Sequence, residues 1–343
     1  LNIVVIGTIN RDTLILPDGE ARQSFGGILY NVLSLAHLLP TDATILPVCK
    51  VGEDHYETIL SLCKPFPQIR LDHLHRDPAG TNENIITYTS ADARTEKLTC
   101  RVSPLSLSEV QFSRSAEAIL VNFISGSDIS LEALNYLKTR RTGLLCVDVQ
   151  WLSTGLREDG TKFFRPIPDW RKWLGQVDIV KLNENEIRTL SDGANLLEEP
   201  YPQTALKLIQ QGVSVVLITL GSEGSQMVYR DVDNAIYLYT SRGVPLEKVV
   251  DPTGCGDVFI SAFLAYYLKE RDVLRANLFA HSAAALKAQK VGLAGVYKVG
   301  KARELMEEVY KEELKQIEQG YRGKRFISCI TRRDGVYETH LFS

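Results

Sequence analysis

Apolar runs rich in Val, Ile and Leu recur along the chain at residues 3–6, 119–123, 144–149, 179–182 and 213–219. None alternates with polar positions, which is the pattern of strands buried on both faces of a parallel sheet. Between them, residues 31–39, 131–138 and 202–210 carry apolar positions at helical spacing. This strand, helix, strand rhythm predicts an α/β chain with a doubly wound, mostly parallel sheet. Ligands of such sheets bind beyond the carboxyl ends of the strands, so candidate chemistry belongs just after them.

Two stretches break the rhythm. Residues 84–90 and 95–102 are β-prone and flank the turn-like Ala91-Asp92-Ala93-Arg94, which predicts a small antiparallel flap, over an active site or merely over a sheet edge. Past residue 300, Ala302, Leu305, Met306, Val309, Tyr310, Leu314 and Ile317 mark one face of a helix that Gly320 could end. Strand-like residues 325–330 and 336–342 follow, and Arg333-Asp334-Gly335 between them suits a hairpin turn. The tail either packs on an edge, the simpler expectation, or mediates self-association into a homodimer.

The 343 residues are 44% hydrophobic and 24% charged, enough apolar material for a large core. Forty-two acidic against 39 basic side chains leave a net charge of −3, which offers no long-range field for nucleic acid or anionic lipid. The six cysteines form no C-x-x-C pair, no apolar stretch approaches a membrane span, and no basic-then-apolar leader precedes the first strand. Reduced thiols and a cytoplasmic location are expected. His37, His55, His73, His75, His281 and His340 do not combine with cysteines at zinc spacing, so no structural metal is predicted. Residues 155–162 hold two glycines at Walker-loop separation but reverse the final Lys and hydroxyl residue, and are expected as an exposed loop. No G-x-G-x-x-G follows the first strand, which weakens a dinucleotide-binding reading.

The densest chemistry lies at Val249-Val250-Asp251-Pro252-Thr253-Gly254-Cys255-Gly256-Asp257, ahead of a good helix over residues 258–269. The pattern predicts a strand, a glycine-bearing turn and a helix start. Small residues at 254–256 let backbone amides converge, and the helix start adds unpaired donors and a positive dipole end, a geometry that can hold a phosphate. Asp257 is favoured there as an anion. Alone, it would be an ordinary helix cap. Three further elements sit at matching places: Gly26-Gly27 with Asn31 opening an early helix, Asn183-Glu184-Asn185-Glu186, and Thr219-Leu220-Gly221-Ser222-Glu223-Gly224. Each also has a plain alternative; Asn183 to Glu186 could simply cap the next helix.

Taken together, these motifs resemble the ribokinase-like (PfkB) carbohydrate kinase family, whose signature Asp-Thr-x-Gly-Ala-Gly-Asp is matched by residues 251–257 apart from Pro252 and Cys255. The resemblance runs from residue 1 to about 310, including Ile6-Gly7-Thr8-Ile9-Asn10-Arg11-Asp12, Val51-Gly52-Glu53-Asp54 and a late helix over 278–291. It implies a three-layer α/β/α fold over residues 1–310, with the flap drawn from about 12–25 and 70–102, and leaves 311–343 as an extension. It implies an ATP-dependent kinase that phosphorylates a hydroxyl of a sugar or sugar-like metabolite, with Mg²⁺ as cofactor. On the same resemblance Asp257 matches the catalytic base, and the amides of Gly254, Cys255 and Gly256 match the anion hole. Asp12, Gly27 and Asn31 match acceptor-binding positions. Thr219, Gly221 and Gly224 match the nucleotide loop, and His281 falls where the late helix approaches the adenine. Asn183 and Glu186 match a water-mediated magnesium element, and Asp251 lies where a monovalent cation such as K⁺ is often held.

Phosphoryl transfer needs alignment and charge neutralisation more than a strong base, so Asp257 is not required to have a raised pKa. Cys255 is expected to pack rather than react. Phe25 and Tyr30 could stack on a substrate or belong to the core. Pro252 resembles some nucleoside kinases of the family, so a nucleoside acceptor is an alternative, as is a catalytically idle ligand-binding protein. A sugar phosphate would need a cationic cluster, for which Arg11, Lys50 and Arg101 are the loosely positioned candidates.

Overall fold

The computed structural model describes residues 1–15, 18–88, 94–190, 200–328 and 339–341. Seven parallel strands form the centre of the main sheet, in the order Leu74–Asp77, Thr44–Gly52, Asn2–Ile6, Ala118–Asn122, Leu144–Asp148, Ile179–Asn183 and Val215–Thr219. Within Asn2–Ile6, Ile3 and Val5 enter one core and Val4 and Ile6 the other. Burial on both faces is why these runs do not alternate. Helices Ile28–Leu38, Cys255–Glu270 and Val273–Ala288 pack against the first face. Leu131–Arg140, Trp170–Leu174 and Tyr201–Gln210 pack against the second. The result is the expected three-layer, doubly wound arrangement.

Beyond Val215–Thr219 the sheet turns antiparallel through Gly224–Arg230, Ile236–Arg242, Lys324–Ser328 and Thr339–Leu341. The tail therefore extends a sheet edge, while its suggested turn at 333–335 lies outside the described residues. The single helix expected after residue 300 is two, Ala302–Val309 and Lys311–Glu318. They break at Tyr310, which is buried and donates its hydroxyl to the carbonyl of Arg242 at 2.9 Å. Among the described residues no helix is long and apolar enough to cross a membrane.

A second sheet, Ala21–Gly27, Ile9–Ile15, Asn82–Tyr88 and Arg94–Cys100, forms the flap. Its outer pairings are antiparallel, whereas Ile9–Ile15 and Asn82–Tyr88 run parallel. The suggested turn at 91–93 lies outside the described residues. Leu74–Asp77, inside the segment assigned to the flap, joins the main sheet instead. His73 stacks on Phe112 beside that edge, with ring centroids 3.6 Å apart. Residues 155–162 are not a free loop. They belong to a hairpin, Thr154–Leu156 with Lys162–Phe164, which is bridged to the flap between Lys97 and Thr161.

Candidate active site

Asn122 and Asp148 end neighbouring strands and face each other in register, and Asp148 faces Lys181 on the next strand. Residues paired in register point to the same face, so a row of polar groups crosses three otherwise apolar strands. The Nζ of Lys181 bonds both carboxylate oxygens of Asp148 at 3.1 Å, and both side chains are buried. From the first turn of helix Cys255–Glu270, the carboxylate of Asp257 reaches this row. Its Oδ1 accepts from the Nδ2 of Asn122 at 2.8 Å and the Nε2 of Gln150 at 2.6 Å. Gln150 holds a backbone φ of 31°, an uncommon conformation for a non-glycine residue and one found often at functional sites.

Burial raises the pKa of Asp257, and Lys181, Asn122 and Gln150 act in the opposite sense without cancelling it. The raised value departs from the sequence expectation that an ordinary carboxylate would serve. It arises because the group is buried, with Asn122 and Gln150 against its carboxylate. Burial likewise pushes Asp148 up against the pull of Lys181. Desolvation works to lower Lys181, but Asp148, Glu186 and Asp257 together hold it above the ordinary lysine value.

The turn before the helix is shaped by contacts that only glycine permits. Gly254 has φ +80°, and a Cβ there would lie 2.5 Å from the ring of Tyr30. At Gly256 a Cβ would come within 2.8 Å of the Lys181 Nζ, so this glycine lets an ammonium group approach the helix start. The amides of Gly256 and Asp257 lie in the first turn, where no intrahelical acceptor exists. The Cys255 amide, expected among the anion-binding donors, is already bonded to the Pro252 carbonyl at 3.1 Å. Its thiol points back at the Ala284 carbonyl, 3.6 Å away, and burial pushes the pKa up to about 12. That suits packing, not nucleophilic attack. Residues 249 and 250, expected as the end of a strand, are half-exposed and outside any strand; the Val250 amide donates to the Ala288 carbonyl at 2.8 Å.

Asn183 and Glu186 form a reciprocal capping box at the start of helix Glu184–Arg188. The Asn183 side chain accepts from the amide of Glu186 at 2.9 Å, and the Asn183 amide donates to Glu186 Oε2 at 2.9 Å. The cap expected as the plain alternative is present, and it lines the same cavity as Asp257, Gly254 and Gly256. Among the described residues no group of three or more His, Cys, Asp or Glu side chains is placed to hold a metal. Magnesium typically takes one or two carboxylates and keeps several waters. Glu186, 5% exposed and lining one cavity with Gly256 and Asp257, fits that mode.

Thr219 faces Asn183 in register on the adjacent strand, and Gly221 (φ +59°) and Gly224 (φ +115°) form the turn after it. His281 does not open onto the cavity. Its Nε2 lies 2.9 Å from Ser225 Oγ and 3.0 Å from Ser241 Oγ, in a buried network with Asn277 behind the Gly224 turn. The Nε2 edge of the imidazole expected near an adenine is thus engaged by the two hydroxyls. Asp251 is likewise engaged, by the ammonium of Lys287 at 3.1 Å.

The cavity has a volume of about 550 Å³. Asp12 and Gly27 line it, with Asn10, Asn84, Ile86 and Tyr30. A Cβ at Gly26 would collide with the Asp12 carboxylate and one at Gly27 with the Thr8 carbonyl, which explains the paired glycines. Among the described residues the Asn84 Oδ1 is buried with no hydrogen-bond partner, which suits an acceptor for a ligand hydroxyl. Asn31, expected to bind the acceptor, is wholly buried. Its Nδ2 donates to the Asp257 carbonyl at 3.0 Å and to Ser261 Oγ at 3.1 Å, and its Oδ1 accepts from Asn122 at 2.9 Å. It braces the start of helix Cys255–Glu270. Arg11 pairs with Glu83, Lys50 with Glu109, and Arg101 with the Ser125 carbonyl, so these three form no cationic cluster in the cavity. Trp151, Phe163 and Phe164 line its outer part, and the Lys162 ammonium lies 4.4 Å from the Trp151 ring centroid. Asn122, Asp148, Gln150 and Lys181 were missed by sequence reasoning. Their one signal is a polar or charged residue in, or just after, an otherwise apolar strand run.

The profile of the pfkB family of carbohydrate kinases matches residues 1–298. A cytidine kinase of Thermococcus kodakarensis is 28% identical over 275 residues, which is 79% of this chain and 90% of that protein. A ribokinase of Arabidopsis thaliana is 32% identical over 130 residues, 37% of this chain and 32% of that protein, so this match spans about a third of the relative. The structure of Arabidopsis thaliana ribokinase complexed with ribose and ATP superposes with a TM-score of 0.69 at 20% identity, covering 89% of this chain and 98% of that one. That likeness establishes the fold.

Proposed function

Since the chain belongs to the pfkB family of carbohydrate kinases and is therefore a phosphotransferase, we propose that it moves the γ-phosphoryl group of ATP to a hydroxyl of a sugar or sugar-like metabolite. The observation that carries this reading is the setting of Asp257. Two amides fix its Oδ1, and it stands at the foot of the cavity beside Lys181 and the helix-start amides. The acceptor hydroxyl donates to Oδ2, the oxygen that neither amide uses. As the new O–P bond forms and the bond to ADP breaks, its proton passes to that oxygen. Negative charge on the moving group is met by the Gly256 and Asp257 amides and by the Lys181 ammonium.

Magnesium bound with the nucleotide supplies charge neutralisation of the phosphates. Glu186, oriented by Asn183, would hold its waters. Asp12, Asn10 and Asn84 present oxygens and amides to the acceptor hydroxyls from the flap side. The flap and the hairpin keep bulk water, a competing acceptor, away from the phosphoryl group.

A nucleoside acceptor is the second reading. Trp151, Phe163 and Phe164 at the outer cavity offer aromatic faces suited to a base, and the match to a cytidine kinase spans most of both chains. A screen of ADP release over sugars, nucleosides and sugar phosphates, with Asp257→Asn as the blank, tests all of this. ADP release with sugars supports the leading reading, and release with nucleosides alone supports the second. Asp257→Asn is expected to keep ATP binding and lose turnover by about 10²–10⁴-fold, the range for a general base. Near-normal turnover in that variant removes Asp257 from the role.

A further inference from the structure

Asp251 is where the resemblance to ribokinase-like kinases implies a bound monovalent cation, and the residues around it do not fit one. Lys287, in the last turn of helix Val273–Ala288, has no solvent exposure. Its Nζ donates to the Asp251 carbonyl at 2.9 Å and to Asp251 Oδ2 at 3.1 Å. The Gly292 amide donates to the same Oδ2 at 2.7 Å, and Oδ1 accepts from the Thr253 amide at 2.9 Å. The backbone carbonyl and both carboxylate oxygens that an alkali cation would use are therefore already engaged. An ammonium group carries the same charge as K⁺, is close to it in size, and seeks the same oxygen donors.

The placement of this charge also connects to the chemistry. Asp251 holds the Thr253 amide, and Thr253 immediately precedes the left-handed Gly254 that opens the anion-binding turn. On the other side, the Asp251 amide is tied to the Ala288 carbonyl at 3.1 Å, one residue from Lys287. The ammonium thus joins the end of one helix to the turn that starts the other.

We propose that Lys287 is a built-in monovalent cation: its ammonium neutralises Asp251 and sets the 251–254 turn, so that phosphoryl transfer proceeds without a bound alkali ion. Lys287 is a positioning residue, since it touches Asp251 and not the reacting atoms. The catalytic half of the proposal rests on the kinase reading above; the occupancy half does not.

The test uses the full-length wild-type protein in KCl, NaCl and choline chloride at one ionic strength, reading both turnover and the thermal unfolding temperature. Turnover is expected to agree within about twofold across the three salts, the residue of general screening effects, and the unfolding temperatures to coincide. Activation by K⁺ of about tenfold or more, the scale of one lost charge-assisted hydrogen bond, overturns the proposal, as does a K⁺-specific rise in unfolding temperature. Lys287→Ala then opens the position. In choline its kcat is expected to fall about tenfold or more with the acceptor KM little changed, and K⁺ or NH₄⁺ is expected to restore kcat and raise the unfolding temperature where choline does not. Full kcat of Lys287→Ala in choline, or failure of both cations to rescue, overturns it. Should Lys287→Ala not fold, the wild-type salt series decides alone. If no acceptor gives ADP, the kinase reading is what fails, and the salt dependence of wild-type unfolding still decides whether an alkali ion binds.

Discussion

In the proposed role Asp257 stands under two opposed demands, because a base must be ionised to accept a proton and yet must be buried to share a dry site with a phosphate. Burial raises its pKa, while Lys181, Asn122 and Gln150 each favour the carboxylate. The acid limb of kcat/KM should therefore lie above the ordinary Asp range. Asn122→Ala removes one of the groups that favour ionisation, so the limb is expected to move to higher pH, with kcat recovering in part at alkaline pH. An unmoved limb in a pH–rate series would detach Asn122 from the base. The same raised pKa has a stability consequence. Between the unfolded and folded pKa values the folded chain binds the extra proton, so stability is full below the unfolded pKa and declines as pH rises through the folded one. Asp257→Asn, which is neutral and still offers an oxygen to Asn122 and Gln150, is accordingly expected to unfold at an equal or higher temperature than the wild type at pH 8. A clear loss of stability there, seen by thermal denaturation, would contradict this account of its environment.

The turn ahead of helix Cys255–Glu270 and the cap of helix Glu184–Arg188 are short-range structures, and both were legible in the sequence. Gly254 and Gly256 mark a turn that a side chain would obstruct, and Asn183 with Glu186 three residues on is a reciprocal cap. Gly254→Ala tests the first. A residue with a Cβ is strained at φ +80°, and here it would also press 2.5 Å from the Tyr30 ring. We expect a loss of about 1–3 kcal/mol and a larger fall in kcat than in acceptor binding, read from chemical denaturation and steady-state kinetics. Wild-type stability in Gly254→Ala would mean that the turn relaxes freely. What the sequence concealed is assembled from far apart. Asn122, Asp148 and Lys181 become one row only through strand register. Asn31, read as an acceptor contact from its place after the paired glycines, turns inward because Asn122 and the Asp257 carbonyl saturate its amide. The hairpin over residues 154–164 escaped notice because its strands are only three residues each, too short for a periodic signal.

Across the whole molecule five strands of the parallel core were predictable from their doubly buried runs and the tail strands from their β-prone residues, whereas the two antiparallel strands between them were not. Gly224–Arg230 and Ile236–Arg242 carry mixed polar and apolar positions whose partners are set by tertiary contacts. What fastens that extension to the rest is partly polar. Ser225 and Ser241 from its two inner strands meet Asn277 and His281 of helix Val273–Ala288 in a buried network. Burial lowers the His281 pKa from 6.5 to about 4, so the imidazole is neutral in the folded protein at pH values where it would be protonated in the unfolded chain. Over that interval the unfolded state binds the extra proton, and folded stability falls as the pH drops from 6.5 towards 4. The full linkage amounts to about 3 kcal/mol at most. His281→Gln keeps an amide within reach of the two serine hydroxyls but cannot take up the proton. It is expected to lose part of its stability at pH 7.5 and to show a shallower decline between pH 6.5 and 4 than the wild type. Parallel pH–stability curves for the two proteins would show that acid sensitivity arises elsewhere and that the strand extension is not held through a neutral His281.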